Sequence, residues 1–487
     1  MTGDRFAPAR HIFDGCGSAG CAVRRCAAPW LHGLALALWL LPSSALGSAV
    51  AATPYVPVPP VTLAAAWSSY HGNVSNNALF AEPGRAPVRW RSAAVQDQAF
   101  AMSIAGDAVY VAGAGNTHAI YALNRANGQV VWAQILNNII MTQPIVAAGR
   151  VFVGAGNNYM QQDPVRDWTT VIRGTEGNAV YALDAASGTM LWMLPLEGEA
   201  MPTPTYIDGL LYVVTGERRF LAIDAGTGRI VWSLRLPSYV SMSSPVRDGN
   251  LLLFGGAHPY AEYAVDIAAR AIAWRHAFVP GAGLVVTGAV DDCSGAVSRH
   301  VLFCTATVSK KGVALSGGSP VRQIAFALNT ATGATVWQRD EGAGVLPNSF
   351  AAGVPTVRDG VVYLPTPVSH GLEARDASTG RLLWRAVLDA VSRSAPVVDG
   401  TVLFTADDAG TVYQFDAPSG RLRHRMRIGG GVSNVGVVLD SGTLYVPNTL
   451  GGVVDAIPQG MFTGAGTVDI MPPFGPLTTL TGASPCG

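Results

Sequence analysis

From residue 85 to residue 460 the apolar positions of this chain alternate with small or polar ones in short runs, each closed by turn-forming residues. The period is two rather than 3.6, which predicts many short strands and no long amphipathic helix. One run shows the design. In the stretch from Tyr181 to Trp192, Tyr181 and Leu183 alternate with small residues and Asp184 can bond its own backbone two residues on. Gly188 supplies the positive φ that closes the turn before a second apolar strand, Met190 to Trp192. A hairpin of this kind cannot bury its faces alone and needs copies beside it.

The copies are present. An Asp or Asn stands eight residues before a Trp at Asn124 and Trp132, Asp184 and Trp192, Asp224 and Trp232, Asp266 and Trp274, Asn329 and Trp337, and Asp376 and Trp384. A seventh copy has Asp416 but ends in His424, and Arg270 stands where the other copies carry the turn glycine. Upstream of each lies a small-Pro-x-x-x-Gly half followed by β-branched and aromatic residues, as in Pro204 to Val213, Pro355 to Leu364 and Pro396 to Phe404. Four strands per repeat at this spacing predict the blades of an all-β propeller. Each Trp, on an outermost strand, is expected to pack its ring between blades.

The two ends set the count. Val432 to Val446 repeats the upstream half and Gly452 to Ile457 the third strand, but no Trp follows Pro458. Trp90, in Ala86-Pro87-Val88-Arg89-Trp90-Arg91, ends a lone outer strand with no upstream half. Supplying that strand to the last repeat closes the ring and removes its free edges. The expectation is an eight-bladed propeller of four-stranded antiparallel blades, closed by an N-terminal outer strand, with seven blades as the alternative.

Composition narrows the class. Only 13% of the 487 residues are charged, with 32 basic and 32 acidic side chains, so nucleic acid is not an expected partner. Residues 1–52 read as a cleavable export signal, with Arg24 and Arg25 ahead of the apolar Leu34 to Leu41 and small residues after it. That run is shorter than the ~20 residues of a membrane-spanning helix. The mature chain is therefore expected to lack a transmembrane anchor and to be periplasmic or secreted, most simply as a monomer. Residues 53–66 form a Pro-rich linker, 67–460 the propeller and 461–487 a Gly/Pro-rich tail. Cys293 and Cys304 flank a turn and a strand, placed either to pair across adjacent strands or to stay as two thiols.

The unit Ala-Leu-Asp-Ala-x-Ser/Thr-Gly-x-x-x-Trp resembles the tryptophan-docking repeat of pyrroloquinoline quinone (PQQ)-type propellers across roughly residues 67 to 460. Trp67-Ser68-Ser69-Tyr70-His71-Gly72-Asn73 is similar to the segment with which many of them begin. The resemblance implies one of two branches: dehydrogenases that hold PQQ and calcium, or non-catalytic propellers such as the lipoprotein of the outer-membrane β-barrel assembly machinery. Shared blades do not choose between them. The chain departs from the enzymes in having no adjacent cysteines. Around Val171-Ile172-Arg173-Gly174 its nearest carboxylate, Glu176, follows the Arg-Gly rather than preceding it. Arg173, Glu176 and Arg393 are the candidates for cofactor contact. No metal-ligand motif and no catalytic residue are assigned, so PQQ and calcium enter only through the resemblance. Asp407-Asp408-Ala409-Gly410 reads as a hairpin turn rather than a catalytic carboxylate pair.

Residues that break the repeat mark the candidate binding face. Asn157 to Gly177 and Val308 to Gln323 interrupt blades, and Phe278 to Asp292 lengthens a connection between them; all three are expected on one side of the ring. They offer Asp163, Arg166, Asp167, Trp168, Lys310 and Lys311. Met141, Met201 and Met242 each stand three residues before the proline of their unit and are expected at equivalent places near the channel mouth, with Arg393 at the corresponding place in the seventh. Three readings follow: an exported propeller binding a protein, peptide or envelope component; a PQQ-dependent dehydrogenase of alcohols or sugars; and a propeller that keeps a ligand pocket without oxidation chemistry.

Overall fold

A computed structural model of the chain describes residues 67–92, 95, 98–162, 171–347, 352–432 and 436–462, with the backbone of 468–470. The expected signal and linker lie outside these residues. Eight four-stranded antiparallel blades surround a central axis, so the eight-bladed expectation holds. Blade 1 runs from Ala99–Ala105 to Val130–Ile135 and blade 2 from Ile145–Ala147 to Met190–Pro195. Blade 3 runs from Thr205–Ile207 to Ile230–Arg235, and blade 4 from Val246–Asp248 to Ala271–Ala277. Blades 5, 6 and 7 begin at Ala296–Ser298, Thr356–Arg358 and Val397–Asp399. Blade 8 begins at Val438–Asp440, and its outer strand is Trp90–Arg91, paired antiparallel with Val453–Pro458. From the stretch read as tail, Val468–Ile470 adds a parallel strand to the outer edge of blade 7.

The repeat motif builds the hinge between the two outer strands. Asp184 Oδ1 accepts the amides of Ala186 (3.1 Å) and Ser187 (2.8 Å), and Gly188, at φ 73°, returns its N–H to the Asp184 carbonyl. A register shift follows alanine in this strand pair, at Ala122, Ala182, Ala222, Ala264, Ala327 and Ala374, and brings the Trp back into phase. Six of these turns then receive the Trp of the preceding blade. Trp132 Nε1 donates to the Ala185 carbonyl at 3.1 Å, Trp192 to Ala225 at 3.0 Å and Trp384 to Ala417 at 2.8 Å. Trp90 donates to Arg125 at 2.9 Å, carrying the same contact across the closure. In blade 2 the third strand is buried up to Asp184, whereas the fourth alternates between exposed and half-buried positions along most of its length, as its one-sided packing requires.

Residues 67–80 run inside the ring. Ser68 O accepts the Tyr206 amide (2.7 Å), Val74 O that of Val297 (2.6 Å), Ser75 O that of Val357 (3.0 Å) and Ala78 O that of Leu439 (2.9 Å). Asn77 pairs its side chain with both backbone groups of Val398, and Trp67 pairs with Val146. One segment thus binds the innermost strands of blades 2, 3, 5, 6, 7 and 8, satisfying groups that a central edge would otherwise expose. Trp67, Tyr70 and His71 are buried, so the channel is filled from this side.

Candidate functional site

The connections between blades, and those between second and third strands, share one face of the ring. In blade 2 the insertion forms a small hairpin, Met160–Gln162 with Val171–Arg173. In blade 5 the second, third and fourth strands lengthen to Val301–Lys310, Pro320–Asn329 and Thr335–Val345, with Leu284–Gly288 added at their edge. The excursion at Val308 to Gln323 is therefore a ribbon at both ends, joined by a turn-rich connection over residues 311–319.

Strand register aligns the blades at the channel wall. Ile145, Thr205, Val246, Ala296, Thr356 and Val397 each open the pairing of an inner strand with its neighbour. Pro144, Pro204 and Pro245 precede the first three, Gly295 the fourth, and Pro355 and Pro396 the last two. Three residues earlier stand Met141, Met201, Met242, Asp292, Ala352 and Arg393. Asp292 thus holds the rung that methionine holds in the three blades before it. Sequence reasoning missed it because Gly295 replaces the proline that keyed the alignment; the register of Ala296 recovers it.

These residues enclose a narrow pocket lined by Tyr70, Met141, Met201, Thr203, Met242, Ser244, Asp292 and Ser294, with room for about one water. Its wall is a relay of hydroxyls: Thr203 Oγ1 accepts the Gln143 amide (2.9 Å), Ser244 Oγ that of Thr203 (3.0 Å) and Ser294 Oγ that of Ser244 (3.0 Å). Asp292 Oδ1 and Glu199 Oε2 are buried and take no hydrogen bond.

Behind Asp292 lies a charged cluster with a deficit of cations. Arg173, brought in by the blade 2 hairpin, bonds Glu199 and donates to Ser241 Oγ at 2.5 Å, and Ser241 bonds Asp292. Burial pushes the Glu199 carboxyl up to about 8 despite Arg173. Burial also raises Asp292 against the pull of Arg173, and raises Asp291 further because the Asp292 charge adds to it. One guanidinium cannot offset three ionised carboxyls in this setting, so the site keeps at least one protonated acid near neutral pH. Cys293 and Cys304 are joined in a disulfide, and the Asp291 carbonyl accepts the amides of Met242 and Ser243, both at 2.8 Å. Covalent and hydrogen bonds therefore hold the acidic loop on both sides.

Of the residues singled out from sequence, Met141, Met201, Met242 and Arg173 meet at this pocket or directly behind it. Glu176 is exposed and contributes only its carbonyl, to Asn138. Lys310 and Lys311 are exposed at the end of the blade 5 ribbon, and Arg393 lies 3.5 Å from Asp408 across the face. Asp163, Arg166, Asp167 and Trp168 lie outside the described residues. Asp407 closes its hairpin, accepting the Ala409 and Thr411 amides and the Tyr413 hydroxyl. The donor set does not fit a quinone over a divalent cation: three thioethers, a tyrosine and three small hydroxyls line the pocket with Asp292 as its one carboxylate, and among the described residues no three His, Cys, Asp or Glu side chains are grouped to hold a metal.

Comparison with known proteins places this geometry. A family profile described as outer membrane protein assembly factor BamB matches residues 87–163, 161–314 and 322–460. A tetrathionate hydrolase of Acidithiobacillus ferrooxidans is 28% identical over 342 residues, 68% of this chain and 67% of that one. A tetrathionate hydrolase of Acidianus ambivalens is 27% identical over 70% of this chain and 66% of its own, so the chain spans about two thirds of the length of these relatives. The outer membrane protein assembly factor BamB of Burkholderia pseudomallei is 24% identical over 73% of this chain and 83% of that one. Among solved structures, BamB from Moraxella catarrhalis aligns with a TM-score of 0.53 at 19% identity, over 74% of this chain and 96% of that one. A europium-containing methanol dehydrogenase aligns with a TM-score of 0.55 at 12% identity, over 78% and 89%, a likeness of fold alone.

Proposed function

The chain belongs to the PQQ-like propeller family whose profile is described as outer membrane protein assembly factor BamB, and from that scaffold we propose a hydrolase of polythionates, acting at Asp292. Similarity to tetrathionate hydrolases supplies the substrate class. The observation that carries the reading is Asp292 itself, a carboxyl of raised pKa with an unpartnered oxygen on a pocket rimmed by three thioethers.

The chemistry suits these groups. Tetrathionate carries two sulfane sulfurs between two sulfonates. Water adds to one sulfonate sulfur, the bond from that sulfur to the adjacent sulfane sulfur breaks, and the products are hydrogen sulfate and the hydrogen form of the three-sulfur fragment. One water proton stays with the sulfate, and the other is passed to the departing sulfur. Protonated Asp292 is placed to supply that proton, and Asp291 behind it to share the one recovered from water. The pocket has room for the attacking water beside Asp292, and the methionine thioethers at its rim offer the sulfane chain a polarizable, adaptable surface. Arg173 and Ser241 keep Asp292 oriented without touching the substrate.

The test is turnover of tetrathionate by the purified chain, with its loss and the appearance of sulfate followed by ion chromatography, together with thiosulfate formed as the three-sulfur fragment sheds one sulfane sulfur as elemental sulfur. Asp292→Asn is expected to lower kcat by about 10²-fold or more. Activity is expected to fall as pH rises through the raised Asp292 pKa. Unchanged turnover in this variant, or none in folded wild type, sinks the reading.

A second reading, an envelope scaffold that binds a protein or peptide, is favoured by the family profile and by the long ribbons gathered on one face. It is separated by partner binding that survives Asp292→Asn. The PQQ alternative is tested by titration with PQQ and calcium, where saturable binding with quinone absorbance would revive a dehydrogenase. Export to the periplasm or beyond is supported by the basic and apolar leader and by a disulfide that persists only in an oxidising compartment.

A further inference from the structure

A second cavity opens on the same face, over blades 5 to 7. It measures about 390 Å³, with Leu346, Pro347 and Val391 as its apolar wall and His370, Arg393 and Asp408 as its polar groups. The frame is fixed by the backbone. Gly318 N–H bonds the Leu346 carbonyl and Leu346 N–H the Ser319 carbonyl, both at 2.8 Å, tying the tip of the blade 5 ribbon to the following connection. The Arg393 carbonyl accepts the Val354 amide at 2.9 Å, and Asp408 N–H bonds Val391 at 2.8 Å. Arg393 therefore leaves the channel rung on a held backbone, and its side chain is 10% exposed.

The charges here favour a ligand of one sign. A guanidinium keeps its charge at any working pH and carries five donors in a planar fork that matches a tetrahedral oxoanion. Asp408 is 39% exposed and its oxygen stands 3.5 Å from Arg393 Nη1, so this pair is long and solvated. Lys310 and Lys311, exposed where the ribbon begins its turn toward Gly318, add positive field to the approach. Arg393 and Asp292 occupy the same rung two blades apart and line separate cavities.

We propose that this cavity is an anion subsite in which Arg393 seats a sulfonate or sulfate group. The subsite rests on the hydrolase reading for the identity of its substrate, and on its own geometry for its anion chemistry. Two sources of the group are open to test: the remote sulfonate of an elongated substrate, and released sulfate.

Calorimetric titration of the full chain with ethane-1,2-disulfonate and, separately, with sodium sulfate distinguishes them, because neither anion is hydrolysed. Wild type is expected to bind at least one. Arg393→Gln is expected to weaken that binding by roughly tenfold, Arg393→Lys by less, and Asp408→Asn to tighten it by removing a competing carboxylate. Disulfonate binding without sulfate binding identifies a substrate arm, and comparable binding of both identifies a sulfate site. In turnover, Arg393→Gln raises KM with kcat retained. No heat with either anion, or equal affinity in wild type and folded Arg393→Gln, overturns the subsite. Disulfonate binding in a chain that never turns over tetrathionate leaves the subsite standing and removes only the hydrolase reading.

Discussion

At the scale of single residues, the docking of each Trp onto the next turn decides which substitutions the propeller tolerates. Gly188 sits at φ 73°, and a Cβ there would lie 2.5 Å from Trp132 Cε3. Gly188→Ala therefore combines left-handed strain with overpacking, and thermal or urea unfolding should show a loss of about 3 kcal/mol. Arg270 holds the same turn position in blade 4 at φ 54°, so the backbone angle alone does not require glycine there. At that site Arg270→Gly relieves strain while adding chain entropy to the unfolded state. These oppose each other, and the change should stay within about 1 kcal/mol of wild type. A larger loss in either direction would mean that Arg270 makes a contact of its own worth more than the strain.

At the scale of elements, what the sequence revealed and what it hid have the same cause. The Asp-to-Trp spacing recurs because six turns present a carbonyl and a bare glycine Cα to an indole, so strands, turns and the closing role of Trp90 were legible from periodicity. The methionine rung was legible for the same reason, since a proline marked each copy. Asp292 was not, because the chain exchanges that proline for Gly295 at the one blade where the rung changes chemistry. Arg173 was noticed as a motif, but its bond to Ser241 depends on how the blade 2 hairpin folds across blades 3 and 4, which no local spacing encodes. The inner segment was equally silent about its task. Asn76 Nδ2 donates toward the carbonyls of Ser294 (2.8 Å), Gly295 (3.1 Å) and Pro355 (3.1 Å), and its own carbonyl accepts Thr356 Oγ1. Asn76→Ala strands buried acceptors at the junction of blades 5 and 6, with an expected cost of about 2 kcal/mol. Because Ser294 and Gly295 directly follow the acidic loop, tetrathionate turnover should fall as well. Full activity in the variant would show that the inner segment does not position Asp292.

For the whole molecule, the buried carboxyls predict an unusual response to pH. Burial raises Glu199 to about 8 and lifts Glu262, Asp291, Asp292 and Glu341 from their ordinary values. Each binds its proton more tightly folded than unfolded, so each contributes stability that is complete below its unfolded pKa. That contribution is lost as pH rises through the folded one. For Glu199 the window runs from its ordinary 4.5 to about 8. Opposing groups are fewer: burial lowers His258 and His276, a cost to the fold at acid pH that is relieved as pH rises through their ordinary 6.5, and the lowered carboxylates are exposed. Asp376 and Asp416 are drawn down to about 2, chiefly by the hydroxyls of Ser378 and Ser419, and solvent screening makes their share small. The protein should therefore melt at a higher temperature at pH 5 than at pH 8. Glu199→Gln removes one titrating group while keeping a neutral hydrogen-bonding side chain against Arg173, so it should flatten the slope within that window and leave it unchanged below. Melting curves in constant ionic strength from pH 4 to 9 read this directly. A wild-type melting temperature that rises toward pH 8 would mean that the cluster around Arg173 is ionised in the folded state. It would also remove the protonated acid on which hydrolysis at Asp292 depends.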